Sequence, residues 1–203
     1  MMRLKTIRTG LWIAVGVAAL GLASHSTGIL PPGGLATPEP PQIADIGGAF
    51  RLTTHRGETL TDADMVGKPH AVFFGFTHCP EVCPTTLYEL SVLLEKLGPA
   101  ADGITPLFIT VDPERDTQEV LAQYMEAFDS RIIGLTGRID ETAAAADAYK
   151  AYFKKVPLKD GGYTMDHTSV IYLMNSQGEF TGTLDFHEKP EVRLAKLRRL
   201  LNS

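Results

Sequence analysis

The stretch HAVFFGFTHCPEVCPTT, residues 70–86, contains the features that decide the fold. It opens with an apolar run from His70 to Phe76, which is typical of a strand buried on both faces of a sheet. A helical spacing of leucines follows and continues to Leu97. Pro84 occupies the first position of that helix, where a missing N–H costs nothing. The stretch therefore predicts a buried strand that runs directly into a helix, with two cysteines at the junction.

The rest of the chain continues this alternation of strands and helices. We expect strands at residues 107–111, 132–135, 169–174 and 180–185, helices at 117–128, 140–153 and 190–201, a hairpin at 50–60 and a loop at 156–166. Strand, helix, strand, helix, antiparallel hairpin and final helix is the thioredoxin order. The sequence thus predicts an α/β, thioredoxin-like fold, with a central mixed sheet flanked by helices and an extra N-terminal hairpin.

The bulk composition agrees with one domain of this kind. The chain has 203 residues, of which 44% are hydrophobic and 21% charged, and these values suit a single globular core with a short appendage. The formal net charge is −5, whereas sequence-independent binding to nucleic acid needs a basic face that displaces counterions. We therefore expect no nucleic-acid partner.

The appendage is the N-terminal segment, which charge and hydropathy divide into parts. Residues 1–10 are a positively charged n-region that we expect in the cytoplasm, and residues 11–30 are an uncharged transmembrane anchor or signal segment. Cleavage after Ala23 is the rival to an uncleaved anchor. A proline- and glycine-rich linker, residues 31–42, leads to the thioredoxin-like domain at 43–203. In both cases the domain is exported.

Cys79 and Cys83 are the two cysteines of the chain, and both lie where the predicted helix starts. The N–H groups and the dipole of a helix N-terminus stabilise a thiolate, the form of cysteine that attacks disulfides and binds metals. Dithiol oxidoreductases of this fold generally have two residues between their cysteines, and the wider spacing here leaves room for a metal and a third ligand. Soft thiolates select cuprous copper, zinc or iron–sulfur clusters. The pair indicates reactive sulfur and leaves redox and metal chemistry both open.

Four separated motifs make the sequence similar to the Sco/SenC family. They are FGFTHCPEVCPTT at residues 74–86, VDPERDT at 111–117, GLTG at 134–137, and the pair Asp166-His167 in front of the strand at 169–174. They follow the order of the family and span nearly the whole predicted domain. Glu81 departs from the aspartate that the family usually has at this position, which is not a ligand position.

The resemblance implies that Cys79 and Cys83 are the thiolate ligands of a copper ion and that His167 supplies an imidazole. It implies a copper metallochaperone rather than an enzyme, which delivers Cu(I) or Cu(II) to the binuclear copper site of cytochrome c oxidase during its assembly. The implied partners are the copper-bearing oxidase subunit, a copper donor protein and a thioredoxin-like reductant. The resemblance also favours the uncleaved anchor, with the domain on the periplasmic side of the membrane.

Three other functions would use the same residues. A thiol–disulfide oxidoreductase that keeps the cysteines of the oxidase subunit reduced would use Cys79 and Cys83 as a redox-active disulfide, and it would not need His167. A peroxidase is disfavoured because peroxiredoxins have a threonine where this chain has Pro80. A structural zinc site is disfavoured because it needs four protein ligands, and the sequence suggests three.

Five neighbouring residues have weaker claims to a role. Asp166 either orients the ring of the adjacent histidine or points to solvent. His78 is expected to be exposed or auxiliary, and Met165 to pack or to lie at the surface. Asp112 is expected to shape a turn, with tuning of the site as the alternative. Either Asp116 or Thr117 is expected to cap the following helix, with Asp116 preferred.

Overall fold

The structure, a computed structural model, describes residues 45–159 and 161–203. The predicted n-region, anchor or signal segment, and linker (residues 1–10, 11–30 and 31–42) lie outside the described residues. The membrane anchor and the periplasmic location therefore stay predictions. In the part of the chain that the structure describes, no helix is both long enough and apolar enough to cross a membrane.

The described residues form nine strands and four α-helices. The strands are β1 (Arg51–Thr54), β2 (Thr59–Thr61), β3 (His70–Gly75), β4 (Thr105–Thr110), β5 (Ile133–Thr136), β6 (Phe153–Pro157), β7 (Tyr163–His167), β8 (Ile171–Met174) and β9 (Phe180–Leu184). The helices are α1 (Val82–Leu97), α2 (Gln118–Met125), α3 (Ile139–Ala148) and α4 (Pro190–Leu200), with short 3-10 turns at Asp62–Met65 and Gly98–Gly103.

Seven of these strands form one mixed sheet, which we call the main sheet. Its order is β2-β1-β5-β4-β3-β8-β9, while β6 and β7 form a separate two-stranded sheet. β3, β4 and β5 run parallel, whereas β1, β8 and β9 pair antiparallel with their neighbours. Parallel central strands that are linked through helices confirm the predicted α/β, thioredoxin-like fold. β1 and β2 are the predicted N-terminal hairpin.

β3 lies inside the main sheet and carries the chain to the two cysteines. All six of its residues are buried, as its continuous apolar run predicts. α1 begins at Val82, so Pro84 is the third helical residue and not the first. The N–H of a third residue also has no partner inside its helix, and proline therefore still fits. The cysteines lie at the carboxyl edge of the sheet, where open α/β sheets bind ligands.

Gly75, the last residue of β3, determines how closely α1 approaches the main sheet. A Cβ atom at this position would lie 2.8 Å from Sγ of Cys83 and 2.7 Å from the ring of Phe108. Since glycine has no such atom, the Cys83 side chain packs directly against the strand, and Cys83 is 0% exposed.

The loop predicted at residues 156–166 is wrong, because β6 and β7 form a hairpin there. Its register pairs Phe153 with His167, so the predicted imidazole ligand is the last residue of a strand and not part of a loop. Met165 is the one fully buried residue among the ten of these two strands. A hairpin this exposed lacks the alternation of apolar and polar residues that reveals a strand in a sequence.

The helix predicted at residues 140–153 is too long at its C-terminal end. α3 ends at Ala148, and Lys150 then adopts a left-handed backbone with φ 55°. The N–H of Ala151 bonds back to the carbonyl of Ala146, which closes the helix. The chain is thereby redirected into β6.

Candidate metal centre

Three side chains converge where β3 meets α1. The sulfurs of Cys79 and Cys83 and a ring nitrogen of His167 all lie within 4.8 Å of one another. Among the described residues, this is the one group of three or more histidine, cysteine and acidic side chains close enough to hold a metal ion. The structure thus brings together the three residues that the sequence predicts as ligands.

The two cysteines differ in burial and in protonation. Neither cysteine is in a disulfide; Cys79 is partly exposed, whereas Cys83 is buried. The N–H of Cys83 donates to Sγ of Cys79 over 3.3 Å. Hydrogen bonds from the side chain and the backbone N–H of Cys83 lower the pKa of Cys79 to about 3. The hydrogen bond to Cys79, together with burial, raises the pKa of the Cys83 thiol. The apo site therefore holds one thiolate and one thiol, and a metal that binds both sulfurs displaces the Cys83 proton.

The orientation of His167 is set by its backbone and by two aromatic rings. Its Nδ1 lies 2.9 Å from the carbonyl oxygen of Thr168, a bond in which the ring nitrogen must be the donor. In the neutral ring this leaves Nε2 without a proton, 3.4 Å from Sγ of Cys83. The rings of Phe73 and Phe76 meet the imidazole edge-on, with centroid distances of 6.2 and 5.7 Å. Nε2 is thus the nitrogen that can bind a metal.

Asp116 fixes the start of the cysteine loop rather than capping a helix. It is fully buried, and its carboxylate accepts bonds from the N–H of Thr77 at 3.0 Å, the hydroxyl of Thr77 at 2.7 Å and the hydroxyl of Thr110 at 2.6 Å. Of the two predicted caps, the structure confirms Thr117, whose side chain accepts from the N–H of Val120, and the preference for Asp116 is wrong.

Asp112 does more than shape a turn. Its buried carboxylate accepts bonds from Nε of Arg115 at 2.5 Å and from the hydroxyl of Tyr163 at 2.9 Å, so it joins the loop after β4 to the β6–β7 hairpin. Sequence reasoning did not single out Arg115 or Tyr163. Arg115 belongs to the quoted motif VDPERDT, which is a signal that could have found it.

The other candidate residues stand outside the three-ligand group. His78 has about half of its side chain exposed (49%), and its Nδ1 lies 3.0 Å from the hydroxyl of Thr77, in agreement with the predicted exposed or auxiliary role. Asp166 is exposed, and the carbonyl of Thr168 holds the imidazole in its place. The orienting role proposed for Asp166 is therefore wrong. Met165 packs against the core, as one of its two predictions states.

The centre opens into a groove with a volume of about 400 Å³, which gives a partner access to it. Two sulfurs and one imidazole form a donor set suited to copper, because thiolates select the cuprous ion and imidazole also suits the cupric ion. A closed structural zinc site would need a fourth protein ligand. Three ligands and an open side instead favour a metal that can be exchanged.

Comparisons with known proteins agree with this description. The family model described as SCO1/SenC matches residues 38–202. The human mitochondrial SCO1 homolog is 43% identical over 138 residues, which are 66% of this chain and 46% of the human protein. The copper-bound structure of Bradyrhizobium japonicum ScoI is 47% identical and covers 76% of this chain and 99% of that chain, with a TM-score of 0.72. Copper-bound yeast Sco1 is 34% identical and covers 78% and 90% of the two chains, also with a TM-score of 0.72.

These matches differ in how much of the relative they include. The matched region spans about half the length of the curated relatives, 46% in the human and 49% in the mouse SCO1 homolog, but nearly all of the solved Bradyrhizobium chain. The family model covers most of this chain, including every motif quoted above. The resemblance inferred from those motifs is confirmed, and the chain belongs to the SCO1/SenC family.

Proposed function

We propose that this protein binds one copper ion through Cys79, Cys83 and His167 and delivers it to cytochrome c oxidase during assembly of that enzyme. The observation that carries the proposal is the convergence of two sulfurs and one imidazole nitrogen within 4.8 Å. The relatives with 47% and 34% identity supply further support, because both were solved with copper bound.

The geometry suits a carrier that exchanges its ligands. Cys79 is already a thiolate at neutral pH, so copper displaces one proton, from Cys83, when it binds both sulfurs. Two thiolates satisfy Cu(I), and Nε2 of His167 adds the third ligand that makes the site tolerable to Cu(II). The groove leaves one side of the ion free for a ligand of the acceptor, which can bind before the last sulfur leaves.

The partners follow from this chemistry and belong to the same proposal. The acceptor is the copper-bearing subunit of the oxidase, and a copper donor protein loads the site. Loading requires both thiols, whereas an exported compartment favours their disulfide, so a thioredoxin-like reductant must restore them. An N-terminal membrane anchor, with the domain on the periplasmic side, would hold the domain near an acceptor in the same membrane.

A second candidate function, thiol–disulfide oxidoreductase, is favoured by the unequal cysteines. The accessible Cys79 thiolate would attack a disulfide of the partner, forming a mixed disulfide and releasing one partner thiolate. Cys83 would then lose its proton and attack Sγ of Cys79, which leaves a Cys79–Cys83 disulfide and a second reduced thiol on the partner. This reaction needs no imidazole ligand, and His167 therefore separates the two functions.

An anaerobic Cu(I) titration of the reduced full chain against a competing chelator tests the proposal. We expect one copper per chain, loss of binding in Cys79→Ala and in Cys83→Ala, and weaker binding in His167→Ala. His78→Ala is the matched control, because this histidine adjoins Cys79 but lies outside the ligand group, and we expect it to bind like the wild type. A wild-type chain that cannot compete for copper, yet reduces disulfides with or without His167, would establish the oxidoreductase instead.

A further inference from the structure

The three predicted ligands are carried by two separately bonded parts of the domain. Cys79 and Cys83 lie at the junction of β3 and α1, and β3 is bonded to neighbours on both sides in the main sheet. His167 ends β7, which among the described strands pairs with β6 alone. The position of the imidazole relative to the sulfurs therefore depends on what holds the β6–β7 hairpin against the rest of the domain.

One loop makes most of the polar side-chain contacts to that hairpin, while Met165 and Phe153 add apolar packing on the core. Apart from the contacts of His167 with Cys83 and with the adjoining Thr168, the polar side-chain contacts between the described hairpin residues and the rest of the domain all reach the loop after β4, at residues 112–115. The outermost of them joins Lys155 to Glu114 at 2.6 Å, between side chains that are 43% and 49% exposed. Such an exposed pair contributes little, so the inner contacts matter more.

The inner contacts centre on Arg115, and we call Arg115, Asp112 and Tyr163 the clamp. Nη1 of Arg115 donates to the backbone carbonyl of Tyr163 at 3.0 Å, and the guanidinium lies 3.8 Å from the centroid of the Tyr163 ring. Asp112 accepts from both partners, Nε of Arg115 at 2.5 Å and the tyrosine hydroxyl at 2.9 Å. Arg115 therefore bonds to both the loop and the hairpin. It also stacks on the ring of Tyr163, which begins the strand that ends in His167.

The clamp also contacts the imidazole indirectly, through the ring of Phe76. The guanidinium of Arg115 lies 5.8 Å from the centroid of the Phe76 ring, and that ring meets His167 edge-on. Nη2 of Arg115 is buried and has no hydrogen-bond partner among the described residues. A buried guanidinium nitrogen without an acceptor lowers the stability of the fold. The other contacts of Arg115 must therefore offset this loss.

We propose that Arg115 is a positioning residue that holds the β6–β7 hairpin where Nε2 of His167 reaches a copper ion bound to the two sulfurs. This inference rests on the proposed function for its consequence in copper binding. Cu(I) is satisfied by two thiolates, whereas Cu(II) needs the imidazole. The clamp therefore sets how well the site holds the cupric ion relative to the cuprous ion, without touching either.

Paired titrations of the full-length variant Arg115→Ala with Cu(I) and with Cu(II) test this inference. We expect the affinity for Cu(II) to fall about 10- to 100-fold, the usual loss when a residue that supports a metal ligand is removed, and the affinity for Cu(I) to change much less. Arg131→Ala is the matched control. Arg131 is similarly exposed (29% against 25%), bonds a nearby aspartate and reaches a distant backbone carbonyl, but these contacts lie elsewhere.

A double variant tests whether Arg115 acts through the imidazole. In Arg115→Ala/His167→Ala we expect the Cu(II) affinity of His167→Ala alone, because a ligand that is already gone cannot be displaced further. The nitrogen hyperfine splitting in the electron paramagnetic resonance spectrum of the Cu(II) form should be lost in Arg115→Ala and kept in Arg131→Ala. Additive losses in the double variant, or an unchanged nitrogen splitting in Arg115→Ala, would overturn the inference.

A measurement on the metal-free protein separates this inference from the proposed function. We expect nuclear Overhauser contacts between the rings of His167 and Phe76 in the wild type and in Arg131→Ala, and their loss in Arg115→Ala. If the wild type binds no copper, the proposed function fails, and these contacts still decide whether Arg115 positions the histidine.

Arg115→Lys covers the case in which Arg115→Ala does not fold. Lysine keeps the charge but lacks the planar fork that bonds two groups and stacks on a ring. We expect Arg115→Lys to lose part of the clamp, so that Cu(II) binding and the nuclear Overhauser contacts between the rings of His167 and Phe76 are both weaker than in the wild type. Wild-type behaviour of Arg115→Lys in both measurements would show that the charge alone is needed, and it would contradict the positioning role.

Discussion

The main sheet and the β6–β7 hairpin each supply part of one site, and they are built in opposite ways. β3 buries all six of its residues and is bonded to a strand on each side. The hairpin buries Met165 alone among its strand residues and depends on a few side-chain contacts. The comparison indicates that the sulfurs are held by the more deeply buried part of the domain, and we expect the hairpin that places the imidazole to open at a lower cost.

Two phenylalanines test this contrast directly, and they should give the largest effect. Phe74 in β3 is 0% exposed and packs against the rings of Tyr149 and Tyr172, whereas Phe153 in β6 is partly buried. We expect Phe74→Ala to lower the free energy of unfolding by about 3–5 kcal/mol and Phe153→Ala to lower it by less than half of that. Urea denaturation measures both, and equal losses would show that the hairpin is as integral to the core as the main sheet.

The buried carboxylate of Asp116 offers the next largest effect on the sulfur side. Asp116→Asn replaces one carboxylate oxygen by an N–H₂ group that cannot accept from Thr77 or Thr110, and it removes the charge that strengthens these hydrogen bonds. We expect the free energy of unfolding to fall by about 1–3 kcal/mol. Asp140→Asn is the control, since that carboxylate is exposed and pairs with Arg138, and it should stay within about 0.5 kcal/mol of the wild type. A neutral Asp116→Asn would mean that the cysteine loop does not depend on this carboxylate.

Acid should weaken the main sheet through His70, at the start of β3, by a smaller amount. Burial lowers the pKa of His70 below its usual value of 6.5. The contribution of neutral His70 to the free energy of unfolding is fully present above pH 6.5. It is lost as the pH falls through the lower pKa of the folded state, because the histidine of the unfolded chain takes up a proton first.

The free energy of unfolding of the wild type and of His70→Leu, followed from about pH 8 to pH 5, measures this contribution. We expect a flatter dependence on pH in the variant. Parallel curves for wild type and His70→Leu would exclude His70 as the source.

Loss of one hydroxyl in the clamp should give the smallest effect, and a local one. Tyr163→Phe removes the 2.9 Å bond to Asp112 but keeps the ring on which Arg115 stacks. We expect amide hydrogen exchange in β6 and β7 to report opening that is easier by about 0.5–1.5 kcal/mol, with exchange in β3 unchanged. Faster exchange in β3 as well would show that the hairpin and the main sheet open together.

The sequence predicts the part of the site that depends on local pattern. The apolar run of β3 and the leucine spacing of α1 place Cys79 and Cys83 at the carboxyl edge of the sheet before any coordinates are known. A strand that is buried on both faces has a continuous run of apolar residues, which a sequence shows directly. The helix follows this strand in the chain, so the position of the junction between them is predictable too. The N-terminal hairpin is also predictable from a local pattern, because two strand-like runs flank the turn at His55-Arg56-Gly57.

The rest of the site depends on contacts between distant residues, which local pattern does not contain. His167 was found through a family motif, while the strand that carries it was predicted to be a loop because its residues are mostly exposed. Arg115 and Tyr163 meet across 48 residues of sequence. Nothing in either neighbourhood indicates the other, and the clamp could be recognised only in the folded chain.

The complete burial of Cys83, which Gly75 makes possible, also limits the damage that an oxidant can do. Hydrogen peroxide would reach the partly exposed thiolate of Cys79 first and convert it to a sulfenic acid. The Cys83 thiol would then condense with that sulfenic acid, releasing water and leaving a disulfide that a reductant can reverse. A pair of one accessible and one buried sulfur would thus be diverted away from the irreversible sulfinic and sulfonic acids.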